Sequence, residues 1–221
     1  MAVKDIKITW HKGWGRKIHT LDKKRIHGPS SILNHLTDWS KIPDKVLQPA
    51  ILRGSAIAEA IEMWSSGEID PQAVLPTLCE DHRKVFQLFL DWLKDEELEI
   101  VEVERLVLNE PEWYIGYIDL IVRNKEGIEF IVEVKTRDIE NYPQPYKTNL
   151  YQVVMYKMAY EQEPETWDIP KCDKAKATLL TLDSKGKSYD WKIIKGIELH
   201  HLENDVYKII EYYNKYVKGG K

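Results

Sequence analysis

Cysteine is nearly missing from this 221-residue chain: the two present, Cys79 and Cys172, lie far apart and match no metal-ligand spacing. That count argues against a structural zinc site and against an iron–sulfur cluster, and it suits a reducing, cytoplasm-like compartment. Phenylalanine is scarce too, at three, and no apolar run approaches the roughly 20 residues that a membrane span needs. The opening stretch, Met1 to Lys7, has neither the apolar segment of a signal peptide nor the Arg/Ser-rich, acid-poor look of a transit peptide. Positive charge is not in excess either, since the formal net charge is −4.

The charge that is there is unevenly spread. Residues 1–30 carry eight Lys/Arg against two acids, with three histidines besides, whereas the stretch from Glu59 to Glu112 is strongly acidic. Such asymmetry marks a candidate face for phosphate contacts. Lys12, Arg16 and Lys17 from the basic segment, with Arg53 and Lys147 further on, are the candidate DNA contacts. Eight tryptophans are present, and Trp10, Trp14 and Trp39 lie near the basic segment. Trp14 is the candidate ring for stacking a base of single-stranded DNA.

Hydrophobic content of 43% and charged content of 31% describe an ordinary globular chain. Its length predicts one domain, 1–221, with an N-terminal portion of 1–97 and a core of 98–221. Two short strands, Asp5–Trp10 and Arg16–Thr20, flank Lys12-Gly-Trp-Gly15 as a hairpin. Gly28-Pro29 turns the chain into a helix through Ile32–Leu36 with Ser30 or Ser31 as cap. Helices are predicted at Arg53–Trp64 and Leu78–Lys94. Three strands follow, Ile100–Leu108, Trp113–Arg123 and Ile128–Thr136, the last two joined by the hairpin turn Asn124–Gly127. A helix at Lys147–Glu161, strands at Ala177–Leu182 and Tyr189–Ile194, and a helix at Leu199–Tyr216 complete an α/β pattern: a mixed sheet with helices on both sides.

Four polar signals stand in fixed order between Gly116 and Tyr156. They are Gly116-Tyr-Ile-Asp119, Glu133-Val-Lys135, and then Gln152 and Tyr156 four residues apart. Asp119, Glu133 and Lys135 interrupt β-branched runs that otherwise read as buried, a costly placement unless something compensates it. A divalent metal and a phosphodiester would. In-line phosphodiester hydrolysis needs an activated water, neutralised charge and a stabilised leaving oxygen, and one or two Mg²⁺ or Mn²⁺ ions on oxygen ligands supply these. Asp119 and Glu133 are the candidate ligands, with the Val134 carbonyl. Lys135 shares a strand face with Glu133 and is suited to stabilise transition-state charge. Gln152 and Tyr156 share a helix face and are placed to bind phosphate or position Lys135.

On these residues the chain resembles the PD-(D/E)XK nuclease superfamily, and most closely its RecB-like exonuclease branch, with its Cas4-type, phage and mitochondrial genome maintenance members. Pro29-Ser-Ser-Ile-Leu33 is similar to the Ser-rich helix start of these domains, and Arg53-Gly54 to the start of their motif helix. The resemblance implies a restriction-endonuclease-like core and a metal-dependent DNA exonuclease acting on ends or single strands in replication, recombination or repair. The five motif residues, Asp119, Glu133, Lys135, Gln152 and Tyr156, would form the catalytic set. It also implies a prokaryotic or phage-infected cell as the setting and no membrane partner; monomer and homo-oligomer are both compatible. One position departs from the pattern. Many relatives carry a metal-binding histidine four residues after the helix glycine, where this chain has Ala58. Glu59, Glu62 or Glu104 would have to supply a further oxygen ligand. Two alternatives stay open: a nuclease-fold protein that binds nucleic acid or protein without cutting, and a structure-preferring endonuclease.

Overall fold

The computed structural model describes residues 6–11, 16–21, 24–65, 71–162 and 175–218. Among these residues the strands form two sheets. The small one is antiparallel: β1 (Ile6–His11), β2 (Arg16–Leu21) and β3 (Lys24–Ile26). The large one has the order β4 (Glu99–Asn109), β5 (Tyr114–Arg123), β6 (Glu129–Arg137), β7 (Lys176–Asp183), β8 (Tyr189–Ile193). Its pairs are antiparallel except β6–β7, which run parallel. A parallel pair needs a crossover, and helix α5 (Lys147–Glu161) lies in that connection.

Alternation along β6 sends its residues to two cores. Ile131 joins α1 (Pro29–Leu33), α5 and α6 (Gly196–Tyr212) on one face. Phe130 and Val132 join α2 (Asp44–Ser65), α3 (Pro71–Val74) and α4 (Glu80–Asp95) on the other. Helix α5 is the central piece of the first layer. From Leu150 to Tyr160 its residues are buried except Gln152, the mark of a helix enclosed on all sides. Tyr114, fully buried on β5, pins it: the hydroxyl donates to the Met155 carbonyl (2.8 Å) and accepts from Asn109 Nδ2 (3.0 Å). The small sheet packs Leu21 and Ile26 against Leu108 at the end of β4 and Ile115 at the start of β5.

The turn between β5 and β6 forms as expected. Asn124 Oδ1 accepts from the backbone N–H groups of Glu126 and Ile128 (3.1 and 2.9 Å), and Gly127 takes φ +78°, open to glycine at little cost. Four expectations need correction. The N-terminal hairpin gains the third strand β3. Helix α1 begins at Pro29 with Gly28 extended before it, so Ser30 and Ser31 lie inside the helix rather than capping it; Asn34–Leu36 continue as a tighter 3₁₀ turn. Helix α2 begins at Asp44, not Arg53, and runs through Pro49. The last helix begins at Gly196 and ends in a wider π-helical turn, Tyr213–Lys218. Among the described residues no helix is long and apolar enough to cross a membrane.

Candidate active site

Strands β5 and β6 pair from Arg123↔Glu129 to Leu120↔Val132, where the ladder stops. One step beyond, Asp119 Oδ2 accepts the Val134 N–H at 2.8 Å, so a side-chain carboxylate takes a backbone donor of the next strand. Glu133 lies alongside with no exposed surface, and Lys135 Nζ is ion-paired to its Oε1. Glu133 Oε2 is buried with no hydrogen-bond partner among the described residues.

The electrostatics follow from that crowding. Burial, and then the charge of Asp119, push the Glu133 carboxyl up to about 8, against the pull of Lys135. Burial raises Asp119 as well, opposed by Lys135 and by the Val134 N–H. Burial alone would depress Lys135, but Glu133 and Asp119 outweigh it and its pKa is raised. Two carboxylates thus compete for one ammonium. A third, Glu104, is near enough to push Glu133, Tyr117 and Tyr156 upward. Its place comes from register: Val103 pairs with Leu120 and Arg105 with Ile118, which sets Glu104 opposite Asp119. Glu104 has φ +52°, a left-handed backbone that is strained for glutamate and of the kind that collects at functional sites.

Gln152 and Tyr156 meet this cluster from α5. Gln152 Nε2 donates to the Tyr156 hydroxyl (3.2 Å) and approaches Ser30 Oγ (3.4 Å). Burial, then Glu133 and Asp119, hold the Tyr156 phenol well above its usual range, so it stays protonated. Gly116 makes room for this ring. A Cβ there would stand 2.7 Å from Tyr156 Cε1 and 2.9 Å from Pro29 Cδ.

Two cavities open onto the cluster and share Ser30, Glu104, Asp119, Lys135 and Gln152. One, about 540 Å³, extends toward α2; the other, about 450 Å³, extends toward β2 and β3. Together they form a groove across the carboxylates. Val134 lines the first and Glu133 and Tyr156 the second. The structure therefore brings Asp119, Glu133, Val134, Lys135, Gln152, Tyr156 and Glu104 to one place. It does not bring Glu59 or Glu62 there: both are exposed and line neither cavity, whereas Ala58 and Ile61 of the same helix line the first. At about 100° per residue Glu59 falls outside the arc of α2 that lines the cavity, and Glu62 lies beyond Ile61, the last α2 residue to line it.

The candidate DNA contacts fare unevenly. Lys12 and Trp14 lie outside the described residues, as does Cys172. Arg16 and Lys17 are described only as backbone of β2. Arg53 is half-buried on α2 and lines neither cavity. Lys147 is engaged elsewhere, ion-paired to Asp205 at 3.0 Å and over the Tyr151 ring, tying α5 to α6. Residues not singled out from the sequence take the groove instead: Arg25, His27 and Tyr117, with His19 Nε2 at 3.1 Å from the Tyr117 hydroxyl. Their signal was the basic, histidine-bearing composition of residues 1–30, which marks a segment but no side chain.

The donor set has a chemical meaning. Carboxylate oxygens and a lysine suit a hard divalent cation rather than a thiolate-seeking one. The buried, unpartnered Glu133 Oε2 is an acceptor that such an ion would satisfy. Among the described residues no group of three His, Cys, Asp or Glu side chains is gathered closely enough to hold an ion. Asp119 and Glu133 would hold it as a pair, with the Val134 carbonyl and solvent completing the shell.

A sequence model of the PD-(D/E)XK nuclease superfamily matches residues 13–216, and the chain belongs to that superfamily. Its mixed sheet between helices is the restriction-endonuclease-like core expected from the motifs. The chain is similar to the uncharacterized protein UU146 of Ureaplasma parvum serovar 3, 27% identical over 179 residues, 77% of this chain and 85% of the relative. The crystal structure of SSO0001 aligns with 82% of this chain and 84% of its own, at 16% identity and a TM-score of 0.32, too loose a likeness to carry an argument.

Proposed function

We propose that this protein is a Mg²⁺- or Mn²⁺-dependent deoxyribonuclease of the RecB-like branch, working as one nuclease domain on DNA ends or single strands. The observation that carries the reading is the Asp119–Glu133–Lys135 cluster, with its buried, unpartnered carboxylate oxygen, at the crossing of two cavities. A divalent ion held by Asp119, Glu133 and the Val134 carbonyl would supply Lewis-acid neutralisation of phosphate charge and a more acidic attacking water. Lys135, kept protonated by the two carboxylates, faces the same space and adds a fixed positive charge where phosphorane charge builds. Tyr156 and Gln152 present neutral hydrogen-bonding groups beside it. The scarcity of cysteine supports an intracellular setting, in a prokaryotic or phage-infected cell.

End-labelled single- and double-stranded DNA and closed circular DNA, incubated with Mg²⁺ or Mn²⁺, test the reading against a Lys135→Ala control. The expected result is shortening from ends by the wild type, an intact circle and no product from the variant. Equal inertness or equal activity of the two proteins rejects it, and cutting of the circle turns it into an endonuclease. One observation favours a second reading, a nuclease-fold binding protein: the described residues gather fewer than three ligand side chains. Calorimetry decides, because a protein that takes up no Mn²⁺ even with DNA present fits only that alternative.

A further inference from the structure

The two ends of the groove differ in chemistry. Toward β2 and β3 it is lined by Arg25, His19 and His27. Toward α2 the wall is aliphatic, built from Leu33 of α1 and Ala50, Ile51, Ile57, Ala58 and Ile61 of α2. Among the described residues lining that cavity there is no aromatic ring, and its single cation is Lys135, already ion-paired to Glu133. Asn34 and Asn149 add amide groups to it, and Thr37, Ser55, Thr136 and Thr148 add hydroxyls.

Building on the nuclease reading above, we propose that the aliphatic cavity receives the nucleobase of a nucleotide adjoining the scissile phosphodiester, so that the protein acts on strands whose bases are free to leave the stack. A sugar–phosphate backbone is a poor occupant, because nothing in the wall neutralises a run of phosphates. A base is a good one. Its faces are weakly polar and its edges carry the donors and acceptors that asparagine amides match. The volume, about 540 Å³, falls in the range of small-molecule sites. The cavity is continuous with the cluster through Asp119, Lys135 and Gln152, so a phosphodiester over the carboxylates has a neighbouring base at its mouth. Entry requires unstacking, which costs a few kcal/mol in a duplex and little in a single strand.

The test is a scan. Single-stranded oligonucleotides carry one abasic residue at successive positions on either side of the cleaved bond, and kcat/KM is measured with wild-type protein and Mn²⁺. The expected result is a loss of about tenfold, mainly in KM, at one register and little change elsewhere. Ala58→Phe, which fills the cavity beside the carboxylates, should impose a similar loss on the normal strand and make the abasic substitution cost-free. A flat response across all registers overturns the proposal using wild type alone, whatever the variant's stability. So does an Ala58→Phe protein, folded by circular dichroism, that still loses tenfold on the abasic strand. If wild type and Lys135→Ala are equally inert, the nuclease reading falls separately. Fluorescence anisotropy on the same series then tests the cavity, with register-dependent binding supporting it and uniform binding rejecting it.

Discussion

Strand β6 carries two glutamates four residues apart on one face, Glu129 and Glu133, and both are buried. Their partners differ. Glu129 accepts from Arg123 Nη2 (2.7 Å) through Oε1 and from the Tyr160 hydroxyl (3.0 Å) through Oε2, while the Arg105 guanidinium lies over the Tyr160 ring. Both of its oxygens are matched. Glu133 shares one lysine with Asp119 and keeps an oxygen with no hydrogen-bond partner among the described residues. One turn of α5 separates the tyrosines that accompany them, Tyr160 and Tyr156. The contrast teaches that burial of a carboxylate does not mark a site by itself. A satisfied one holds the sheet to its helix; one left unsatisfied among the described residues is the acceptor that the proposed metal ion would take up.

The largest expected effect comes from exchanging these roles. Glu133→Gln and Lys135→Ala should each lower DNA cleavage by about a thousandfold, the scale of losing one preorganised electrostatic element, while metal-free stability stays level or rises for Glu133→Gln. Glu129→Ala should do the reverse. Removing the carboxylate that Arg123 and Tyr160 share should cost about 1–2 kcal/mol in chemical denaturation, discounted because the Arg123 side chain is 40% exposed, with cleavage per folded molecule nearly unchanged. If Glu129→Ala abolishes cleavage without destabilising the fold, the comparison breaks.

A smaller change reaches the site through packing. Gly116→Ala would push a methyl into the Tyr156 ring and Pro29. Overpacking of this kind costs about 1–3 kcal/mol, and cleavage should fall about tenfold as Tyr156 and Gln152 shift, on the scale of one mispositioned contact. Unchanged kinetics would remove Tyr156 from the site.

The gentlest test is pH. The folded Glu133 pKa, about 8, lies above its ordinary 4.5, so between those values the folded protein keeps a proton that the unfolded chain has released. Its contribution to metal-free stability is full below pH 4.5 and is lost as pH rises through 8. Denaturation midpoints of the wild type should therefore decline across that window relative to Glu133→Gln. Lys135, also raised, contributes below its ordinary 10.5 and loses that contribution at higher pH, so its window does not overlap. Parallel profiles for the two proteins would mean that Glu133 titrates normally.

The convergence of the candidate site residues was legible in the sequence because their spacings are local. A charged residue in a β-branched run, a four-residue turn, a second strand and a helix with Gln and Tyr one turn apart all fall within a short span, and α5 lies at the predicted Lys147–Glu161. Distant relations were not legible. Nothing near Glu129 announces Arg123 and Tyr160 as partners, and nothing near Glu104 says that strand register sets it opposite Asp119. Glu59, Glu62 and Glu104 looked equivalent as spare ligands until their places along α2 and in the sheet separated them. Helix α2 was underestimated because Pro49 reads as a break, yet the helix runs through it from Asp44 along a segment with no buried residue before Ile57. The strand β3, three residues long, is too short to show a period.

The order of parts along the chain has one more consequence. Asp119, Glu133, Lys135, Gln152 and Tyr156 all come from β5, β6 and α5, successive elements of a single uninterrupted stretch. The aliphatic wall facing them comes from α1 and α2, encoded well upstream. The two parts are thus separable along the chain: on the nuclease reading proposed above, an exchange of sequence within the segment between α2 and β4 would join the same motif stretch to a different wall.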